Sequence, residues 1–272
     1  GGAFAKIKIY KEESMRFGFG KNWLSFLSNL DKNRIKTAED SLKKILNVES
    51  LEGKTLLDIG SGSGLTSLAA RNLGANVLSF DYDKYSVEAT EKLKDDFYPS
   101  DAYWTVMQGS VLDDEFMGKF CDFDYVVSWG VLHHTGDMWH ALKNVYSIPK
   151  EKNGVLYIAL YNDQGFISDY WAVVKKLYNS SLIGKLAMTI LHYPYLVIAP
   201  ISLRIISGRG IGVRGMTFWH DLHDWVGGYP FEVASRSSIG DYFDEDFTLI
   251  NSVDVGNRHG CNEFVFRRKL HS

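Results

Sequence analysis

Asp58-Ile59-Gly60-Ser61-Gly62-Ser63-Gly64 sets one carboxylate ahead of three glycines at alternate positions. Glycine, lacking a Cβ, permits a tight turn and lets a ligand approach bare backbone. Leu65, Leu68 and Ala69 follow at helical spacing, so the turn opens into a helix whose first amides are unpaired and favour electron-rich groups. A second carboxylate, Asp81, stands about 20 residues further on, where an acid accepts ribose hydroxyls. A nicotinamide turn normally reads GxGxxG after an apolar residue. Here Asp58 would repel a pyrophosphate, whereas a ligand carrying an ammonium and a sulfonium suits the pair of acids.

Other chemistry-bearing residues cluster at points where strands should end. Gly109-Ser110-Val111 follows the strand Tyr103–Met107, with Asp113 two residues on. Trp129 stands near the end of the strand Asp124–Gly130, and His133 and His134 come just after it. An imidazole titrates near neutral pH, so either histidine can be a general base or merely part of the next helix start; His133 is the first choice. Asn162 and Gln164 follow the strand Gly154–Leu160 as acceptor contacts or as an ordinary turn. Further on, His220, Asp221, Asp224 and Tyr229 lie in a run dense in aromatics, acids and glycines, as a small-molecule pocket wall requires. His220 is the alternative base, and Asp221, Asp224 and Tyr229 suit a hydroxyl or amine. A metal site is not expected, because mixed His/Asp spacing of this kind arises readily by chance.

These residues need a doubly wound sheet to bring them to one edge. Apolar runs at Leu56–Ile59, Asn76–Phe80, Tyr103–Met107, Asp124–Gly130 and Gly154–Leu160 alternate with helical patterns such as Ser86–Leu93 and Met138–Val145. In such sheets ligands bind beyond the carboxyl ends of the strands. Phe247–Val253 and Gly260–Phe266 read as a closing antiparallel hairpin. Ahead of the sheet, the aromatic and glycine cluster around Phe19 and Trp23 precedes helical patterns reaching Leu46, and reads as a lid or as surface packing. Between residues 168 and 215 the alternation stops. Leu182 to Ile206 is long enough to span a bilayer on count alone, but Lys185, His192, Arg204, Pro194 and Pro200 argue against a spanning helix. A helical cap is the first reading of this tract, and a membrane-touching surface the second.

The Asp58 turn, with Asp81 after it, resembles the first motif of the class I S-adenosylmethionine-dependent methyltransferases. The resemblance implies a seven-stranded Rossmann-like α/β sheet with N-terminal helices and a cap insertion. It also implies S-adenosylmethionine as cofactor, held by Asp58, Gly60, Ser61, Gly62, Gly64, Asp81, Tyr82, Gly109, Ser110, Val111 and Trp129, with Phe19 and Trp23 covering it. The family's adenine-contacting loop falls at Gly109–Val111, where the Ser110 hydroxyl stands in place of the usual acid and Asp113 competes for the adenine amino group. His134, Asn162, Gln164, Asp221, Asp224 and Tyr229 would then face the acceptor. The insertion and the tryptophan-rich run are similar to uncharacterised bacterial members associated with surface-polysaccharide genes. The segment after the insertion offers carboxylates and aromatic faces together, which points to O-methylation of a sugar or another polar metabolite. A quinone or lipid methylated at a membrane surface is the alternative, and a non-catalytic module keeping the fold is a third reading. Four segments are expected: 1–50 as helical lid, 51–165 as cofactor core, 166–235 as cap and acceptor site, and 236–272 completing the sheet.

With 272 residues the chain can bury a full core, and a net charge of −3 gives no basic field for nucleic acid. Two cysteines make neither a ligand cluster nor a disulfide framework, and no signal peptide pattern opens the chain, so a reducing cytoplasm is the expected compartment.

Overall fold

The computed structural model describes residues 18, 20, 23, 27, 30–198, 225–256 and 260–270. Two compact units divide it. The larger, Gly20–Asp163 with Glu232–Ser272, holds a seven-stranded sheet in the order β3-β2-β1-β4-β5-β7-β6. Its strands are β1 (Thr55–Ile59), β2 (Asn76–Asp81), β3 (Trp104–Gln108), β4 (Tyr125–Trp129), β5 (Val155–Tyr161), β6 (Phe247–Val253) and β7 (Cys261–Arg268). The first five are parallel, while β7 runs antiparallel to both β5 and β6. This is the Rossmann-like class I arrangement that the resemblance implied, including the closing hairpin.

Burial on both faces explains the composition of the strands. Leu57 and Ile59 of β1 enter the apolar layer containing Phe80, Leu142 and Phe243, whereas Leu56 enters the opposite layer with Leu68, Val77 and Trp104. Six of the seven β5 residues are buried, as a central strand covered on both sides must be.

Helices start where a side chain can accept orphan amides. Asp31 caps α1 (Lys32–Leu46), and Asn47 ends it in the left-handed region. The helix α2 (Leu65–Asn72) begins directly from Gly64 without a side-chain cap. Asp83 caps α3 (Lys84–Phe97), so that helix starts ahead of its apolar pattern. Asp113 caps the single turn α4 (Asp114–Met117) through the amides of Glu115 and Phe116. A 3-10 turn (Leu132–His134) precedes α5 (Met138–Tyr146), and α8 (Arg236–Phe243) leads into β6.

The second unit contains Gln164–Phe231. Its described part is a hairpin of α6 (Phe166–Ser180) and α7 (Leu182–Tyr193), followed by a π turn at Pro194–Ile198. Trp171, Val174, Tyr178 and Val226 form its core. Lys175 is fully buried there, its ammonium donating to the Trp225 carbonyl and lying 4.7 Å from the Trp225 ring and 4.8 Å from that of Phe231. Among the described residues no helix is long and apolar enough to cross a membrane.

Candidate cofactor and acceptor site

The loop after β1 is closed from behind and open in backbone conformation. Gly60 has φ +76° and its amide donates to the Phe80 carbonyl at 2.8 Å. A Cβ there would sit 2.4 Å from the Val131 side chain, so no other residue fits without displacement. Gly62, at φ +56°, has the Trp23 indole beside it, with a built Cβ 3.2 Å from that ring. Trp23 therefore lies against the glycine turn. Phe19 lies outside the described residues.

Two carboxylates flank this turn. Asp58 is buried and accepts the Ser67 hydroxyl at 2.5 Å. Burial pushes its carboxyl up to about 6; the Ser67 hydrogen bond opposes that, and the Asp81 charge adds to it. Asp81 accepts the Gly62 amide at 3.0 Å on Oδ2 and the Asp83 amide at 2.9 Å on Oδ1. These two amide bonds fix the orientation of the carboxylate. Positive ligand charge would relieve the repulsion between the two acids. The donor set and the bare turn fit S-adenosylmethionine: Asp58 toward its ammonium, Asp81 toward its ribose.

The residues expected at the adenine end follow β2 and β3. The Tyr82 ring is half exposed, and its carbonyl accepts from Gln108. The Gly109 amide donates to the Asp81 carbonyl at 3.0 Å, and the Phe116 ring fills the space where a Cβ would project. Ser110 Oγ accepts the Leu112 amide, and Val111 is buried. Asp113, the competing adenine candidate, is occupied as the α4 cap.

Beyond β4, Trp129 is half exposed. His133 is enclosed: its ring lies 4.0 Å from that of Tyr161 and 4.5 Å from that of His134. Its Nδ1 accepts the Tyr161 amide at 3.3 Å, which assigns the neutral ring's proton to Nε2. His134 is half-buried and edge-on to Tyr161. Glu232, which the sequence did not single out, fastens this loop. Its amide donates to the His133 carbonyl, and its carboxylate, raised by burial, accepts the amides of Gly136 and Met138 at the start of α5. A single acid in a distant turn gives no sequence signal for such a contact.

Asn162 serves mainly as a strut. Its Nδ2 donates to the Gly256 carbonyl and its Oδ1 accepts from buried Asn262, tying the end of β5 to the closing hairpin. Gln164 and Tyr229 belong to the second unit and are half-buried. His220, Asp221 and Asp224 lie outside the described residues. Among the described residues no group of three or more His, Cys, Asp or Glu side chains is placed to hold a metal.

Residues 57–156 match the family model described as a methyltransferase domain. That stretch is thus similar to a methyltransferase domain and carries the class I fold. The ribosomal protein L11 methyltransferase of Helicobacter hepaticus is 30% identical over 137 residues, covering 50% of this chain and 39% of that protein. The ubiquinone biosynthesis O-methyltransferase of Pelagibacter ubique is 28% identical over 146 residues, covering 50% of this chain and 55% of that one. The chain thus spans about half or less of the length of these curated relatives. Magnesium protoporphyrin IX methyltransferase from Synechocystis, solved with bound SAH, shares the fold at a TM-score of 0.52 and 13% identity, over 86% of this chain and 83% of that one.

Proposed function

We propose that the protein transfers the methyl group of S-adenosylmethionine to a hydroxyl of a small acceptor. The observation that carries this is the pair of buried or amide-fixed carboxylates, Asp58 and Asp81, on either side of a glycine turn. The bound cofactor supplies a methyl already activated by a sulfonium. The protein then has to align the hydroxyl, exclude water and receive its proton. Of the two histidines, His134 keeps the access that a base needs, whereas the Nδ1 of enclosed His133 is engaged by the Tyr161 amide. His133 acts as the floor under Tyr161 and His134, and Glu232 holds that floor in register. Exclusion of water falls to Trp23, already against the turn.

Two acceptor classes are weighed. A sugar hydroxyl draws on Asp221 and Asp224, which lie outside the described residues. A quinone or lipid hydroxyl draws on the second unit. Phe166, Tyr170, Val173 and Leu177 form an exposed stripe on α6, and Leu182, Ile183, Leu186 and Ile190 form another on α7, with exposed Lys176 and Lys185 beside them. Apolar stripes flanked by lysine suit an anionic membrane surface. This observation favours the lipophilic acceptor. The curated relatives are named for a ribosomal protein and for ubiquinone biosynthesis, so likeness does not choose between acceptors.

The test supplies methyl-labelled S-adenosylmethionine with either a short-chain ubiquinol analogue or a panel of methyl glycosides, and measures flotation with anionic vesicles. Label on the quinol together with flotation supports the lipophilic acceptor; label on a glycoside without flotation supports the sugar. Failure to bind the cofactor at all would leave a fold used for another purpose.

A further inference from the structure

We propose that Ser67, Ser79 and Trp104 form a one-way hydrogen-bond relay that holds the Asp58 carboxylate ionised, and that this relay sets the lowest pH at which the domain retains its cofactor. The ligand in this inference rests on the methyltransferase reading above; the relay itself rests on geometry.

Trp104 Nε1 donates to Ser79 Oγ at 2.9 Å, Ser79 Oγ lies 2.6 Å from Ser67 Oγ, and Ser67 Oγ donates to Asp58 Oδ2 at 2.5 Å. All four side chains are buried, so no bulk water can substitute for a missing partner. Three elements contribute: β2 brings Ser79, β3 brings Trp104 and α2 brings Ser67.

The indole gives the chain its direction. An indole N–H can only donate. Ser79 therefore accepts from Trp104 and passes its own proton to Ser67, which passes its proton to Asp58. A protonated Asp58 donating to Ser67 would reverse the chain. Ser79 would then receive two donors, and its own proton would lose its acceptor in the chain. That arrangement is disfavoured in a dry interior, where an unmade hydrogen bond is costly.

The relay works against two opposing effects. Burial and the nearby Asp81 charge both favour the protonated acid and lift it to about 6. Across the sheet Asp58 pairs in register with Val127 of β4 and Ser79 of β2, neither of which carries charge. Asp81 is the charged group that bears on it. Loss of the relay therefore lets protonation advance to higher pH, and a neutral Asp58 no longer attracts an ammonium.

S-adenosylhomocysteine is titrated calorimetrically between about pH 5 and 9 into wild type, Ser67→Ala, Ser67→Thr and Trp104→Phe, spanning the ordinary carboxylate-to-amine range. The ligand's own ionisation is common to all and cancels in the ratio of affinities. In parallel, carboxyl-¹³C aspartate labelling follows Asp58 in the ligand-free protein, with Asp58→Asn for assignment. Ser67→Ala should weaken binding about tenfold near pH 5 and only about twofold at pH 7, with the ratio vanishing toward alkaline pH, because one pKa unit of upward shift from about 6 is a factor of ten below both midpoints. Ser67→Thr should restore the profile, and Trp104→Phe should shift it in the same direction by less. 5′-Methylthioadenosine, which lacks the amino-acid group, should bind all four proteins with pH-independent ratios. A Ser67→Ala ratio constant across pH, with an unmoved ¹³C midpoint, overturns the relay and leaves the hydroxyls as packing. If Ser67→Ala does not fold, Trp104→Phe carries the same comparison. If wild type binds no S-adenosylhomocysteine, the methyltransferase reading fails, and the ¹³C midpoints alone judge the relay.

Discussion

Helix α2 buries Leu68, Ala69 and Ala70 completely, whereas Phe166, Leu182 and Ile183 in the α6–α7 hairpin are 84%, 85% and 82% exposed. Both regions are built from amphipathic helices. In the sheet unit each apolar stripe meets a strand that needs covering, so burial is reciprocal. In the hairpin one stripe packs Trp171, Val174 and Tyr178 inward, and a second apolar stripe faces out. A folding core needs only the first. The contrast teaches that hydrophobicity beyond what the fold consumes marks a surface with another use.

The largest expected effect tests the core side of that contrast. Phe243 is fully buried, stacked on Phe266 at 4.6 Å and edge-on to Phe247. Phe243→Ala should cost about 3–5 kcal/mol in urea unfolding, through lost transfer energy and a residual cavity. A loss under about 1 kcal/mol would mean that the layer repacks freely, as cores rarely do.

Next comes the strained acid of the site. Because the native Asp58 carboxyl is raised to about 6, the folded state holds its proton more tightly than the unfolded chain. Its contribution is therefore favourable at acid pH and is lost as pH rises from the ordinary carboxylate range through about 6. Asp58→Asn should recover on the order of 2–3 kcal/mol at neutral pH relative to its effect near pH 4, while abolishing cofactor binding. Thermal unfolding of both proteins across pH checks it. A difference that does not change with pH would remove Asp58 as the strained group.

Asp81→Ala should weaken S-adenosylhomocysteine binding by about 1.5–3 kcal/mol, roughly ten- to a hundredfold, the value of charge-assisted hydrogen bonds. The loss of the Gly62 and Asp83 amide contacts contributes to it. Calorimetry at one pH suffices, and an unchanged affinity in a folded variant would exclude Asp81 from the ribose site.

The smallest effect belongs to the hairpin. Ile183→Ser should change stability by no more than about 0.5 kcal/mol, as exposed substitutions do, yet reduce flotation with anionic vesicles. A penalty as large as that at Phe243 would place Ile183 in a core and erase the contrast between the two regions.

The sheet was legible because its signals are local. Period-two and continuous apolar runs mark strands, and a glycine turn between an acid and a helix leaves few alternatives for Gly60, whose φ and contact with Val131 exclude a Cβ. Strand ends slipped by a residue or two, as at Trp104–Gln108, and α3 began ahead of its apolar pattern because Asp83 caps it.

The sequence by itself determined the five parallel strands, the closing hairpin, the turn and its two acids. These depend on the spacing of residue types along the chain, which folding preserves. Tertiary structure alone decided how neighbouring residues divide the work. It enclosed His133 while leaving His134 half-buried, made Asn162 a strut, made Asp113 a cap, and brought Glu232 onto the His133 loop. It also joined Ser67, Ser79 and Trp104 behind Asp58. Adjacent histidines have the same chemistry on paper, and a serine 12 residues from its partner carries no mark of it. Only burial and the completed set of hydrogen bonds separate the residue that meets a ligand from the one that holds it in place.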